Sequence, residues 1–112
     1  MSTYYNVEWA QADIVVVKGD DVNFCLDVTE NAVAHNFAGE TVRAHVRTKN
    51  GVFIRGFSTS AGTIITNVNR LQFKDVPFTT WGTYCWDVEV DDGTYIMTII
   101  KGWFKVVRDI TI

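Results

Sequence analysis

Polar and apolar residues alternate along most of this chain with a period of two, which is the pattern of β-strands that bury one face. The clearest example is the segment 41–48, TVRAHVRT. The same pattern predicts strands over residues 13–18, 22–28, 52–58, 82–91 and 94–107, and one bent strand or two short ones over 63–73. No segment of useful length has the helical period, and at most one helical turn is expected in the corner 75–81 around Pro77.

Turn signals separate these predicted strands. Gly19-Asp20, Asn50-Gly51 and Asp92-Gly93 favour tight turns, and residues 29–40 form a predicted loop. Seven or eight short strands without a helix indicate an all-β sandwich or a small barrel. With 112 residues the chain has material for a single core.

The hairpin 82–107 allows a prediction of strand register. If Asp92-Gly93 is a two-residue turn, three apolar pairs face each other on the inner side: Val90 with Tyr95, Val88 with Met97, and Trp86 with Ile99. The apolar match fails at the next pair, Tyr84 with Lys101, immediately before Gly102. Since a lone glycine in a strand often marks a bulge, we expect a shift of register at that residue.

Two cysteines, Cys25 and Cys85, lie on predicted strands 60 residues apart, where a disulfide between sheets would be conceivable. The apolar alternation around each one places its thiol on the face away from the core. Two outward-facing thiols in opposite sheets are too far apart to be bridged. We therefore predict two free cysteines, both open to a thiol reagent.

Composition and charge narrow the classes of function. Hydrophobic residues make up 47% and charged residues 21%, a globular balance, and 15 residues are aromatic. A formal net charge of −3 argues against a general nucleic-acid binder. No apolar run is long enough to cross a bilayer, and residues 1–12 lack the features of a signal peptide. We therefore expect no membrane or nucleic-acid partner, and synthesis and assembly in a cytosol.

Four segments, in this order, carry a resemblance to a known family: residues 13–20 (DIVVVKGD), 38–51 (AGETVRAHVRTKNG), 81–90 (WGTYCWDVEV), and a closing segment from Lys101-Gly102 to VVRDIT at 106–111. They resemble the small immunoglobulin-like domains of tailed-bacteriophage virion proteins, including the N-terminal domain of baseplate upper proteins. The resemblance implies an immunoglobulin-like antiparallel β-sandwich of seven to eight strands. It also implies a structural protein of the virion, an adaptor, decoration or fibre-anchoring module that contacts other virion proteins as a homo- or hetero-oligomer.

Residues that could carry chemistry are few. His35 lies in a predicted loop, and His45 lies between two arginines with no orienting carboxylate on its strand, so neither forms a catalytic arrangement. No paired Cys/His spacing for zinc and no phosphate-binding glycine motif is present. The acidic residues at 87, 89, 91 and 92 are spread along a strand and would not wrap a calcium ion. We expect no catalytic, cofactor-binding or metal-binding residues, and hence no enzyme.

The same acidic residues have a structural explanation. In immunoglobulin-like sandwiches the third strand pairs with the sixth. This pairing would place Arg43, His45 and Arg47 beside the carboxylates of the segment 87–91 as an ion-pair ladder on the solvent face. Each exposed pair would contribute only ~0–1 kcal/mol.

The N-terminal arm, residues 1–12, precedes the predicted sandwich domain, residues 13–112. It carries three large aromatic residues, Tyr4, Tyr5 and Trp9. Either the arm is an extra edge strand of its own sandwich, or it adds to a neighbouring subunit with these aromatics as interface anchors. Deleting it is expected to leave a folded domain that no longer joins its assembly.

A carbohydrate-binding sandwich is the alternative to a virion protein, because exposed Trp and Tyr side chains can stack on sugars. A sugar binder should present two or three coplanar aromatics on one open face. A virion module should instead bury its aromatics in protein contacts.

Overall fold

The computed structural model describes the backbone of residues 3–8 and 10–108, with the side chains of Tyr5 and of residues 11–108. This part of the chain contains eleven strands and no helix, so the corner 75–81 has none of the single helical turn that the sequence allowed there. The strands are β1 Thr3–Glu8, β2 Ala10–Gln11, β3 Ile14–Val17, β4 Val22–Glu30, β5 Val33–Ala34, β6 Thr41–Arg47, β7 Phe53–Ser58, β8 Ile64–Asn67, β9 Arg70–Asp75, β10 Gly82–Asp91 and β11 Ile96–Val107.

The strands form two sheets that pack as a sandwich. The first sheet has the order β1-β4-β9-β8, with β5 also paired to β4, and the second has the order β2-β11-β10-β6-β7, with β3 also paired to β11. Apart from β1, β2 and β3, the two sheets have the immunoglobulin arrangement. β6 and β10 take the places of the third and sixth strands of that fold, which pair with each other. The predicted all-β, immunoglobulin-like sandwich is therefore confirmed. The strand count exceeds the predicted seven to eight because it includes two two-residue strands and the N-terminal strand.

Aromatic rings fill the space between the sheets. Trp86 of β10 is 3% exposed and lies among Phe24, Phe73 and Phe104, at ring-centroid distances of 5.6 to 6.2 Å. Its indole Nε1 donates a buried hydrogen bond of 2.9 Å to the carbonyl oxygen of Ala12. This contact satisfies the polar atom of a large core side chain and ties the segment before β3 to the second sheet.

The register of the β10–β11 hairpin differs from the prediction. Val90 pairs with Met97, and a register shift after Val88 leaves Ile99 as the extra residue, so that Val88 pairs with Ile100. The turn is longer than two residues, which moves every pair, and the bulge lies at Ile99 and not at Gly102. The predicted inward positions of Tyr95 and Met97 are therefore wrong, since both side chains are exposed.

Both cysteines are free, as predicted, and they lie in different sheets. Cys85 is half-buried, but Cys25 is only 2% exposed even though it lies outside the core cluster. Cys25 lies in β4 between β1 and β9, where Gln72 is its partner in the ladder. Burial also raises the pKa of the Cys25 thiol, an effect that the nearby Arg70 guanidinium partly opposes.

The burial of Cys25 changes the expected reactivity of the two thiols toward a reagent. In the native protein without reductant, a thiol reagent should modify Cys85 rapidly and Cys25 only slowly, because the thiolate is the reactive species and the reagent cannot reach a buried sulfur. The measurement is a time course of thiol titration before and after denaturation, with Cys85→Ser removing the rapid phase. A protein that shows no free thiol even after denaturation without reductant would contain a bridge and contradict this assignment.

Candidate functional site: the interaction surfaces

The two histidines have structural surroundings. Nε2 of His35 lies 2.7 Å from Oε1 of Glu40, and the His35 ring contacts Phe37 edge-on. His45 lies on the outer face of the second sheet, with its ring 5.9 Å from that of Phe53. Neither geometry orients a histidine toward a nucleophile. Within the described residues no group of three or more His, Cys, Asp or Glu side chains could hold a metal ion.

The predicted ladder of charges between β6 and β10 is confirmed. Arg43 donates to Glu89 at 2.9 Å, and Arg47 donates to Asp87 at 3.2 Å. His45 lies opposite Asp87 in the ladder. The side chains of these ion pairs are partly exposed, so they specify the strand register more than they add stability.

The N-terminal arm lies against its own sandwich over the residues that the structure describes. β1 pairs in parallel with β4, in register from Thr3 opposite Phe24 to Glu8 opposite Thr29. Tyr5 is half-buried and meets the Phe24 ring edge-on, at 6.2 Å between centroids. The Tyr4 side chain and the whole of Trp9 lie outside the described residues. In the sheet order β1 has one neighbour, so its second edge is open among the described strands.

A groove runs over the outer face of the second sheet beside Trp103 of β11. It has a volume of about 460 Å³ and is lined by the cationic residues Arg47, Lys49 and Lys101, with Asp87 and Cys85 between them. The indole of Trp103 is 47% exposed, and Nζ of Lys49 lies 5.4 Å from its ring centroid. The groove therefore combines an exposed aromatic side chain with an excess of positive charge.

The loop between β10 and β11 presents apolar side chains to solvent. Tyr95 is 68% exposed, and the adjoining residues Ile96 and Met97 of β11 are exposed as well. Oδ1 of Asp92 accepts hydrogen bonds from the backbone N–H groups of Thr94 and Tyr95, at 2.8 and 2.7 Å. The bonds from Tyr95 and Thr94 lower the pKa of Asp92, which holds the carboxylate in its ionised form. The loop thus carries an acidic residue that bonds to its own backbone, and exposed apolar side chains lie at its end and at the start of β11.

Neither the groove beside Trp103 nor the set of exposed residues of the β10–β11 loop was predicted from the sequence, because the predicted register of the hairpin was wrong. A signal for Trp103 was present: Lys101, Trp103 and Lys105 alternate with Gly102, Phe104 and Val106, which places the indole outward among lysines. The exposure of Tyr95 and Met97 was not predicted, because both lie an even number of residues before Ile99 and therefore have the spacing of side chains on one inward face. The adjacent pair Ile99-Ile100, both buried, was the sign of a bulge.

Two exposed aromatic residues of the second sheet, Trp103 and Phe53, do not form a continuous platform for sugar rings. Trp103 and Phe53 share the outer face of the second sheet, but Cys85 and Arg47 lie between them in the ladder. Trp103 and Phe53 are therefore separated by two intervening strands and do not form the clustered aromatic face expected of a carbohydrate-binding module. Most of the remaining aromatic rings in this part of the protein belong to the core.

Fold and surfaces together define a class: an immunoglobulin-like β-sandwich that offers grooves, loops and sheet edges for contacts. Within that class the chain is similar to the solved "N-terminal domain of phage TP901-1 ORF48", with a TM-score of 0.63 and 10% sequence identity. The match covers 95% of this chain and 98% of that chain. The predicted likeness to the N-terminal domain of a phage baseplate protein is thus confirmed for the fold. No protein-family model matches the chain, and no curated protein matches it.

The described part of the chain also contains no helix with the length and apolar character needed to span a membrane.

Proposed function

We propose that this protein is a structural component of a bacteriophage virion, an adaptor, decoration or fibre-anchoring module that acts through contacts with other virion proteins. The observation that carries the proposal is the match over nearly the full length of both chains to the N-terminal domain of a phage baseplate protein. Where two folds coincide from end to end, the shared unit is the whole domain. The step from the fold of that domain to a role for this protein is an analogy at the level of the fold.

The surface chemistry supports a role without catalysis. The histidines serve structural contacts, and the carboxylates of β10 form ion pairs with β6. Among the described residues the open features include an edge strand, the groove beside Trp103, and the β10–β11 loop with exposed apolar side chains at its end, which are means of holding a protein partner. We therefore propose a non-enzymatic protein, located in the virion after assembly in the host cytoplasm, with homo- or hetero-oligomeric virion partners.

The arm is the part of the chain that we propose for the contact with another virion protein, with Tyr4, Tyr5 and Trp9 as anchors. β1 is six residues long and its outer edge is open among the described strands, so a strand of a partner can add to it. Aromatic side chains next to such an edge supply the apolar contact that main-chain hydrogen bonds lack.

The test of this proposal is an arm variant in assembling particles. A deletion of residues 1–12 would also remove the Ala12 carbonyl that accepts the Trp86 hydrogen bond, so the deletion should end at Glu8. The shortened protein is expected to remain folded, with a reduced unfolding temperature, and to be missing from purified particles. Thermal unfolding and the protein composition of the particles are the two measurements.

A matched pair of substitutions separates the anchors from the backbone of the arm. Tyr4→Ser together with Trp9→Ser should abolish incorporation, whereas Tyr4→Phe together with Trp9→Phe should retain most of it. Tyr5 is left unchanged in both variants because its ring packs on Phe24 of the same chain. If the serine variant is folded and still enters particles, the arm is not the contact. If the unaltered protein is absent from purified particles, the virion role itself is wrong.

A further inference from the structure

The groove beside Trp103 and the β10–β11 loop of the same chain carry opposite charges. The groove carries Arg47, Lys49 and Lys101 against the single carboxylate of Asp87, a formal charge of +2. The whole chain has a formal net charge of −3, so the rest of the molecule carries −5. Two copies of this protein therefore attract each other when the groove of one faces an acidic surface of the other.

The β10–β11 loop is the acidic surface whose shape suits the groove. It carries Asp91 and Asp92 beside the exposed side chains of Tyr95, Ile96 and Met97. Hydrogen bonds from Gly93 to Asp91 and from Thr94 and Tyr95 to Asp92 hold its backbone in place. A loop ordered before binding loses little conformational entropy when it docks.

Loop and groove cannot meet within one chain. Ile96 begins β11 and Trp103 lies seven positions further along the same strand, which corresponds to roughly 24 Å at ~3.4 Å per residue. Both lie on a rigid sheet, so a contact between them requires a second copy. Such a contact joins two different surfaces, which makes it heterologous, and its repetition produces a ring or a filament.

We infer that copies of this protein associate head to tail, with the β10–β11 loop of one copy docked in the Trp103 groove of the next. Tyr95 packs on the indole of Trp103, and the carboxylates of Asp91 and Asp92 face Lys49 and Lys101. The inference deepens the proposed function by naming a second copy as one of the partners, and it uses a surface separate from the N-terminal arm.

The experiment is a mixing test with two variants of the full chain. The groove variant carries Lys101→Glu and Trp103→Ser, and the loop variant carries Tyr95→Lys. Sedimentation velocity should show concentration-dependent growth of the unaltered protein beyond a dimer, weakened by salt. Each variant alone should be monomeric, with association weakened roughly thirtyfold or more, as expected for the loss of an aromatic hot spot.

The mixture distinguishes this arrangement from others. Each variant keeps one intact surface, so equal amounts of the two should form a dimer that does not grow further. A mixture that remains monomeric, or association that survives in either variant alone, would overturn the head-to-tail contact. Thermal unfolding of both variants at or near the temperature of the unaltered protein shows that the fold is intact, and Lys18→Glu is the control for a change of charge away from the groove.

Failure of this inference leaves the proposed function open to its own test. A protein that is monomeric in solution but present in purified particles has the virion role without the head-to-tail contact. A protein that associates head to tail but is absent from particles has the contact without the virion role.

Discussion

Substituting Trp86 by alanine is expected to lower the free energy of unfolding by about 3–5 kcal/mol, among the largest effects of any single change in this chain. The side chain is 3% exposed and contacts the rings of three phenylalanines from both sheets. Its removal leaves a cavity between the sheets and leaves the carbonyl of Ala12 without the indole donor. Chemical denaturation followed by circular dichroism measures the change.

Two control variants make this prediction sharper. Trp103→Ala is the same chemical change on a half-exposed indole, and it should cost far less. Val88→Ala, in the same strand as Trp86, should also cost less because it removes a smaller volume. An unchanged denaturant midpoint for Trp86→Ala would mean that this face of β10 does not point into the core.

Gly102→Ala is expected to destabilise the protein by about 2–4 kcal/mol, although the change adds only a methyl group. A Cβ atom at position 102 would overlap the carbonyl oxygen of Ala12 and would lie 2.7 Å from Oδ1 of Asp13. The first of these is a backbone atom, so the segment before β3 must move away. That movement also breaks the bond from Trp86 Nε1 to the Ala12 carbonyl.

Gly56→Ala is the matched control for this second prediction. Gly56 lies in β7, and the three atoms nearest to a Cβ there belong to the side-chain rings of Phe53 and His45, at 3.3 Å or more. Since side chains can yield, the denaturant midpoint should change little. If Gly102→Ala is as stable as Gly56→Ala, the close approach of the Ala12 segment to β11 is not present in solution.

Much of the fold could be predicted because local alternation and turn residues specify it. The segment 41–48 alternates without interruption, and its strand and its pairing with β10 agree with the structure. Gly82–Asp91 was predicted with its full bounds. In both cases one face is apolar and the other charged, so a slip by one residue would bury arginines or carboxylates.

The surfaces could not be predicted in the same way. The hairpin prediction assumed the shortest turn, whereas Asp92 uses its side chain to bind Thr94 and Tyr95 and lengthens the turn. That local preference competes with the two-residue turn, and the sequence pattern alone does not rank them. The burial of Cys25 was missed for another reason: alternation reports which face a residue is on, and does not report what covers that face.

The sequence by itself determined the class of fold: the short amphipathic strands, the single core and the free cysteines. These properties follow from local periodicity and residue chemistry, which a single strand already expresses. Only the tertiary structure decided the bulge at Ile99, the contact of Gly102 with Ala12, and the groove beside Trp103. Each of these depends on atoms from segments far apart in the chain, whose relative positions arise when the two sheets pack together.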